Sequence, residues 1–263
     1  MGSPADEMGH DKSETQVAVI ISRAFWLAES ECTQAAWNAI IDWDLSRERG
    51  ELYPVQRVSW HDSVDFCQRL SKKKTDLLLR LPSEAEWEYA CRAGSTGATP
   101  SIGSASTTGA WFEANAGGAC HKVKQRSANL LGLHDMLGNV AEWCEDSFAP
   151  YPGFDAIDPV GKDGDRRVAR GGSWGDSAQR IRSADRIPAR PDMRSAYVGF
   201  RLAMTVVWPA GMDPGFGSTT MTSTIYAHEV LQLNFPFAGF RILVRVLPQS
   251  EIPASQPLLQ VTP

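Results

Sequence analysis

The stretch from Ser95 to Arg170 constrains the fold of this chain most, because it shows almost no helical or strand periodicity. Gly, Pro, Asn, Asp and Ser dominate it, and aromatic residues are scattered among them. A loop this long in a compact domain is normally organised by something other than its own secondary structure, and bound metal is the usual organiser. The pattern therefore predicts a domain of low regular secondary structure with long structured loops.

Composition excludes several classes of protein. Of the 263 residues 43% are apolar and 22% are charged, which is typical of a globular chain and not of a disordered one. The formal net charge of −5 argues against nucleic acid and anionic membranes as partners, since both require a basic surface. The apolar run from Val17 to Ile21 predicts a strand and is too short to span a bilayer, and no signal sequence is visible. We therefore expect a cytoplasmic protein that binds neither nucleic acid nor membrane.

The cysteines form no recognisable redox or zinc motif. Five of them occur at wide spacing, and no Cys-x-x-Cys pair is found among them. An odd number of cysteines without an export signal favours reduced thiols that serve as small apolar residues.

Three segments predict short helices. Thr33 is placed to cap the first helix, and apolar residues recur at steps of three from Val64 to Leu70 in the second. Ser83 and Glu86 have the spacing of a capping box at the start of the third, and Gly94 is placed to end it.

Two carboxylates flank a Gly-Asn turn in the loop-rich region. Because Gly138 lets the backbone reverse, carbonyl oxygens and the side chains of Asp135 and Glu142 can converge on one cation. Oxygen ligands of this kind suit calcium better than a transition metal. The alternative is an iron or zinc site that uses His134, although a single histidine without a spaced partner is more often a surface residue.

Eight motifs in a fixed order resemble the formylglycine-generating enzyme family, also called sulfatase-modifying factors. The resemblance extends from residue 1 to about residue 204. The motifs are Met1-Gly-Ser, Glu31-x-Thr33-Gln34, Val58-Ser-Trp60, Arg80-Leu-Pro-Ser-Glu-Ala-Glu-Trp-Glu-Tyr-Ala90, Gly132-Leu-x-Asp-Met-x-Gly-Asn-Val140, Glu142-Trp143, Arg170-Gly-Gly-Ser-Trp174 and Val198-Gly-Phe-Arg201.

The resemblance implies the fold and a calcium site. It implies a single α+β domain over residues 1–204 with a C-type-lectin-like fold, in which short helices pack beside small antiparallel sheets. A second family site, which would begin at Ala114-Asn115, lacks its downstream acid between Ala116 and Val123, so we expect one calcium ion. The expected calcium ligands are Asp135, Gly138, Val140 and Glu142.

The chain departs from the family at the catalytic centre. Formylglycine-generating enzymes carry two copper-binding cysteines shortly after the Gly-Gly-Ser-aromatic motif. The matching stretch here, from Gly175 to Arg186, contains no cysteine, and no cysteine follows Cys144. The iron-binding histidines of the ergothioneine-type branch come from a separate preceding domain. We therefore expect neither copper nor iron, and no formylglycine generation.

The same stretch predicts a ligand-binding surface between residues 174 and 197. Arg, Tyr and Trp dominate recognition hot spots, so a peptide, glycan or protein ligand is expected. Two alternatives are a divergent metal-dependent oxidoreductase, of the formylglycine-generating or non-haem iron type, and a retroelement-diversified variable binding protein. Arginines such as Arg170, Arg182 and Arg201 have an equally good interpretation as structural ion-pair partners. The candidate ligand-binding residues are Trp174, Asp176, Gln179, Arg180, Arg190, Arg194 and Tyr197.

Both ends of the chain differ from the family pattern. Residues 205–263 form a C-terminal extension, for which we predict a strand pair between Tyr226 and Val246 and a disordered tail. A variable tract of a retroelement target normally ends the chain, so this extension argues against that alternative. Family members usually have a strand before the Met1-Gly-Ser motif, which leads us to expect a truncated or late-started gene.

Overall fold

The computed structural model describes residues 1–22, 25–73, 77–100, 109–151, 155–206, 233–235 and 238–242. Within these ranges there are three α-helices, α1 Gln34–Asn38, α2 Trp60–Lys73 and α3 Glu84–Arg92, and a 3-10 helix, Lys12–Glu14. The strands are β1 Val19–Ile20, β2 Trp26–Ala28, β3 Leu77–Arg80, β4 Ala141–Ser147, β5 Ala156–Ile157, β6 Arg167–Arg170, β7 Arg186–Ala189, β8 Val198–Gly199, β9 Ala203–Val206, β10 Leu233–Phe235 and β11 Ala238–Ile242.

The helices begin where local capping signals predict. The Thr33 hydroxyl accepts a hydrogen bond from the backbone N–H of Ala36 at the start of α1. Ser83 and Glu86 form both hydrogen bonds of the capping box that begins α3. That helix ends at Arg92, and its C-cap is Ala93, which adopts a left-handed φ of +47° one residue before the expected Gly94. These starts are confirmed because a cap depends only on residues within one turn.

The strands form three sheets. A five-stranded antiparallel sheet has the order β10-β11-β2-β9-β3, a four-stranded sheet has the order β7-β6-β4-β8, and β1 pairs with β5 in parallel. The strands β10 and β11 lie inside the stretch 226–246, and β11 pairs with β2, so this part of the extension joins the sheet of the domain. The predicted disordered tail lies outside the described residues.

The region from Ser95 to Arg170 contains more strand than its sequence indicates. It supplies β4 and β6, which form the centre of the four-stranded sheet. Six of the seven β4 residues are buried, so the strand lacks the alternation of polar and apolar residues that identifies a half-exposed strand. The prediction of a region made almost wholly of loops is wrong for β4, β6 and the two-residue strand β5, which also lies in this region.

A cluster of aromatic side chains joins the helices to the sheets. Trp37 of α1 stacks on Phe66 of α2 with ring centroids 5.4 Å apart, and Phe66 lies edge-on to Phe200 at 5.5 Å. Trp143 of β4 belongs to the same buried cluster. Aromatic pairs contribute about 0.5–1.5 kcal/mol each beyond their area burial, so this cluster fixes α1 and α2 against both larger sheets.

Two buried arginines form ion pairs in the interior, and one of them ties the N-terminal segment to the domain. Arg182 donates to Glu14 at 2.8 Å and to Glu7 at 2.7 Å, and Arg170 is fully buried against Glu88. These two arginines therefore act as structural ion-pair partners and do not contribute to a ligand surface.

Three loops meet at one end of the four-stranded sheet. The strand β8 runs parallel to β4, with Ala141 opposite Val198, whereas β6 runs antiparallel, with Glu142 opposite Arg170. The residues before β4, the residues before β8 and the residues after β6 must therefore lie together. The loop between α1 and α2 reaches the same place, because the backbone N–H of Arg57 donates to the carbonyl of Ser195 at 2.9 Å.

Candidate functional site

Asn139 fixes the loops at this end of the sheet. Its backbone N–H donates to the Trp111 carbonyl and its own carbonyl accepts from the N–H of Trp174, both at 2.8 Å. Its side-chain Oδ1 accepts from the backbone N–H of His121 at 2.8 Å, and its Nδ2 donates to the His121 carbonyl at 3.2 Å. One fully buried asparagine with a φ of +54° thus connects two positions of the segment 109–140, which precedes β4, with the turn after β6.

Glu142, one of the four predicted calcium ligands, is engaged by an arginine. The Arg201 guanidinium donates to both carboxylate oxygens of Glu142 at 2.6 Å, and the Trp87 indole N–H donates at 2.7 Å. Neither Glu142 nor Arg201 has appreciable solvent exposure. This carboxylate therefore already has three donors and a full positive charge beside it.

Asp135 is in a different state. Its Oδ2 accepts from the backbone N–H of Lys124 at 2.7 Å, whereas its buried Oδ1 has no hydrogen-bond partner. Burial raises the pKa of Asp135, and it also raises the pKa of Glu31, which lies near the carboxylates of Asp135 and Glu142. A buried carboxylate oxygen without a donor is costly, so it is suited to accept a proton or a cation.

The predicted calcium ligands differ in how well they fit a cation. Gly138 has a φ of +75°, and a Cβ there would lie 2.1 Å from the Trp111 carbonyl oxygen, so this turn requires glycine. Within the described ranges no three His, Cys, Asp or Glu side chains are grouped so as to hold a metal ion. The Asp135 Oδ1 atom fits a hard cation, whereas Glu142 would have to share one with Arg201. Calcium at Asp135, Gly138, Val140 and Glu142 stays a prediction.

An open groove of about 1080 Å³ lies between the loop that joins α1 to α2, the turn after β6 and the segment before β8. The segment before β8 contributes Arg194 and Tyr197, and the turn after β6 contributes Trp174. The loop between α1 and α2 contributes the remaining charged residues. The lining residues are Leu45, Ser46, Arg47, Arg49, Arg57, Trp174, Arg194, Ser195, Ala196 and Tyr197.

The two aromatic residues of the groove have different roles. Trp174 is only 6% exposed and donates its indole N–H to the Ala196 carbonyl at 3.1 Å, whereas Tyr197 is 45% exposed. Their ring centroids lie 4.5 Å apart. A Cβ on Gly175 would lie 2.5 Å from the Tyr197 ring, so the glycine leaves room for this packing. Trp174 therefore supports Tyr197, which presents the aromatic surface.

Four of the seven predicted ligand-binding residues do not line the groove. Asp176 accepts from the backbone and hydroxyl of Ser173 at 2.9 and 2.6 Å, so its carboxylate closes a local turn. Arg190 pairs with its neighbour Asp192 at 2.7 Å. The other two, Gln179 and Arg180, are exposed on the adjacent turn.

Sequence reasoning missed the residues from the loop between α1 and α2. Leu45, Arg47, Arg49 and Arg57 lie more than 115 positions before Trp174, so only the folded chain brings them to the groove. The Arg47-Glu-Arg49 pattern in a polar loop is the only local signal that could have identified them.

The thiols lie in the interior. All five cysteines are free and buried, as the sequence predicts for small apolar residues. Burial raises the pKa of Cys91 to about 12 and raises the pKa values of the other four as well. Cys120 belongs to the buried cluster that contains Trp174, and only 3% of its surface is exposed. The thiolate form, which is the reactive species, is therefore suppressed.

Comparison with known proteins decides the family. The model of the sulfatase-modifying factor enzyme 1-like domain matches residues 2–206. The chain belongs to this family. A formylglycine-generating enzyme of Streptomyces coelicolor is 37% identical over an alignment of 171 residues that covers 57% of this chain and 52% of that protein. The Bos taurus protein named inactive C-alpha-formylglycine-generating enzyme 2 is 33% identical over an alignment of 186 residues that covers 64% and 54% of the two chains. The chain thus spans about half the length of these family members.

Solved structures of similar fold agree with this assignment. PvdO from Pseudomonas aeruginosa has a TM-score of 0.71 and 27% identity, covering 78% of this chain and 90% of its own. Treponema denticola variable protein 1 has a TM-score of 0.66 and 28% identity, covering 77% and 90%. The expected α+β, C-type-lectin-like fold of the sulfatase-modifying factor family is confirmed. None of the helices described here has the length and apolar character needed to cross a membrane.

Proposed function

We propose that this sulfatase-modifying factor family member is a ligand-binding module that does not generate formylglycine. The observation that carries the proposal is the groove itself, which four arginines and two aromatic residues line and to which no thiol contributes. Arginine and aromatic side chains bind ligands through bidentate and stacking contacts. The groove is thus equipped for recognition.

The residues of the matching catalytic stretch do not fit copper. From Gly175 to Arg186 there is no cysteine, and copper chemistry of the family type requires soft thiolate ligands. Within this stretch the Asp176 carboxylate already accepts two hydrogen bonds from Ser173. The stretch therefore lacks the ligands that copper-dependent oxidation requires.

One relative supports a non-catalytic role, another supports the alternative, and one structural neighbour bears on diversification. The name of the Bos taurus relative describes that protein as inactive, and the Treponema denticola neighbour is called a variable protein. The alternative, a metal-dependent oxidoreductase, is supported by the 37% identity to the formylglycine-generating enzyme of Streptomyces coelicolor. Retroelement-based diversification of the groove would agree with the Treponema neighbour, but the extension after residue 204 argues against it.

We also propose that one calcium ion stabilises the loops before β4. The support comes from Asp135, whose buried Oδ1 has no hydrogen-bond partner. Asp135 would supply a side-chain ligand, Gly138 and Val140 would supply carbonyl oxygens, and Glu142 would contribute only by sharing its carboxylate with Arg201. The ion would supply structural stability and no chemistry.

The test of the main proposal is an aldehyde assay on a Cys-x-Pro-x-Arg peptide with added copper and oxygen. The Streptomyces coelicolor enzyme serves as the positive control. We expect no aldehyde above the level of a no-protein control, because the chain has no cysteine pair at the site. Turnover of the peptide would refute the proposal, and stoichiometric copper or iron in the purified protein would favour the oxidoreductase.

A further inference from the structure

We propose that the groove binds an acidic peptide segment, an inference that rests on the proposed function and names its ligand class. The ten lining residues include four arginines and neither aspartate nor glutamate, although the chain as a whole has a net charge of −5. A positive surface on an acidic protein attracts a negative partner and excludes a positive one. Three of the four guanidiniums are paired with carboxylates that lie just outside the lining, which leaves Arg57 as the charge available to a ligand carboxylate.

Arg57 is the most available of these charges. Arg47 is paired with Glu48 at 3.4 Å and Arg49 with Asp44 at 3.1 Å. Arg194 is paired with Asp62 through two hydrogen bonds of 2.8 Å. In the part of the chain that the structure describes, the guanidinium of Arg57 has neither an ion-pair partner nor a hydrogen-bond partner. An exposed guanidinium of this kind presents its planar fork of donors to a ligand carboxylate.

The backbone of Arg57 is held in a costly conformation. Its φ is +56°, in the left-handed region that favours glycine. The neighbours Gln56 and Val58 are fully buried, and the Arg57 N–H donates to Ser195, so the surrounding structure imposes this conformation. It directs the arginine outward between two buried residues. Strained positions of this kind cluster at ligand sites, where an unstrained glycine would lose the side chain that the site needs.

Apolar surface beside the arginines points to a peptide ligand. Leu45 and Tyr197 both line the groove and are 48% and 45% exposed. Arg47 lies over the Trp174 ring, 5.3 Å from its centroid, which places positive charge next to the aromatic pair. A segment that mixes Asp or Glu with apolar side chains satisfies both kinds of contact. The mildly acidic chain disfavours a nucleic acid, whose charge extends well beyond the groove.

The experiment measures binding of two fluorescein-labelled twelve-residue peptides by anisotropy. One peptide repeats Glu-Glu-Phe, and the other repeats Lys-Lys-Phe as a charge-reversed control of equal apolar content. We expect the Glu peptide to bind at 50 mM NaCl and to weaken by about tenfold or more at 500 mM, because salt screens exposed charges. The Lys peptide is expected not to bind. Equal binding of both peptides, no binding of either, or tighter binding of an oligodeoxythymidine of equal length would overturn the inference.

Matched variants locate the binding to the groove. We expect Arg57→Gln to weaken the Glu peptide about tenfold, since a hydrogen bond to a charged group is lost. Arg190→Gln removes the same charge from an exposed position outside the groove and is expected to leave affinity unchanged. Arg57→Gly should also weaken binding while its urea midpoint stays equal or rises, because glycine adopts this φ without strain. Equal effects of Arg57→Gln and Arg190→Gln would contradict the inference.

The two proposals fail in different ways. Aldehyde formation from the Cys-x-Pro-x-Arg peptide would refute the non-catalytic function. A blank aldehyde assay together with no preference for the Glu peptide would refute the acidic ligand alone.

Discussion

Replacing Arg201 by methionine should destabilise the protein more than any single change at the groove. The guanidinium has no solvent exposure and donates to both oxygens of Glu142 at 2.6 Å and to the carbonyls of Ala28 and His134 at 3.0 Å. Removing one partner of a buried ion pair leaves the other charge buried and unpaired, which costs about 3–5 kcal/mol. We therefore expect Arg201→Met to lower the free energy of unfolding by about this amount.

The assay is urea unfolding followed by tryptophan fluorescence, with Arg194→Met as the matched control. Arg194 also makes a two-bond pair with a carboxylate, that of Asp62, but its side chain is 46% exposed. Exposed pairs contribute about 0–1 kcal/mol, so the control should lose little stability. The double variant Arg201→Met/Glu142→Gln removes both buried charges and keeps an acceptor for the Trp87 indole. It should therefore be more stable than the sum of the single losses implies.

Two results would refute this reasoning. One is an Arg201→Met variant that is no less stable than Arg194→Met. The other is strict additivity of the Arg201→Met and Glu142→Gln losses, which would mean that the two charges do not interact.

The remaining predictions concern the loops and the buried acids. If calcium binds, a chelator should lower the Tm of the wild type and should have no effect on Asp135→Asn; a chelator-insensitive wild type would refute the site. Gly138→Ala should cost a few kcal/mol by chemical denaturation, because its Cβ would lie 2.1 Å from the Trp111 carbonyl oxygen. Burial and the nearby Glu84 carboxylate raise the pKa of Asp146 to about 7. Its unfolded value is about 3.9, so its contribution to stability is complete below about pH 4 and is lost as the pH rises to 7. Urea midpoints measured across this pH range should therefore fall for the wild type relative to Asp146→Asn, and parallel curves would contradict the shift.

Local sequence signals predicted where the helices begin. The contacts of the candidate site join residues far apart in the sequence and could not be predicted from it. Thr33, Ser83 and Glu86 cap helices through atoms within one turn, so the sequence contains the whole of that interaction. The Arg201 and Glu142 side chains meet across 59 positions, and no spacing rule predicts such a pair.

Some residues of the groove could be predicted from the sequence, and others could be found only in the folded chain. Arg194, Trp174 and Tyr197 belong to the tract that the sequence singles out, because Arg and aromatic residues are concentrated there. Arg57 reaches the groove because the loop between α1 and α2 bonds to Ser195, a contact that depends on the folded chain. Asp176 was a candidate on residue type alone, whereas in the structure Ser173 satisfies its carboxylate.

Asn139 forms its hydrogen bonds to Trp111, His121 and Trp174 through the main-chain atoms of those three residues, and this has a consequence for protein engineering. The peptide groups of Trp111, His121 and Trp174 meet it whatever side chains those positions carry. A rim position that is held in the same way, such as Tyr197, whose carbonyl accepts from the N–H of Ala141, can accordingly be randomised in a display library while the asparagine is kept. The scaffold then offers a way to select new binders without redesigning the fold beneath them.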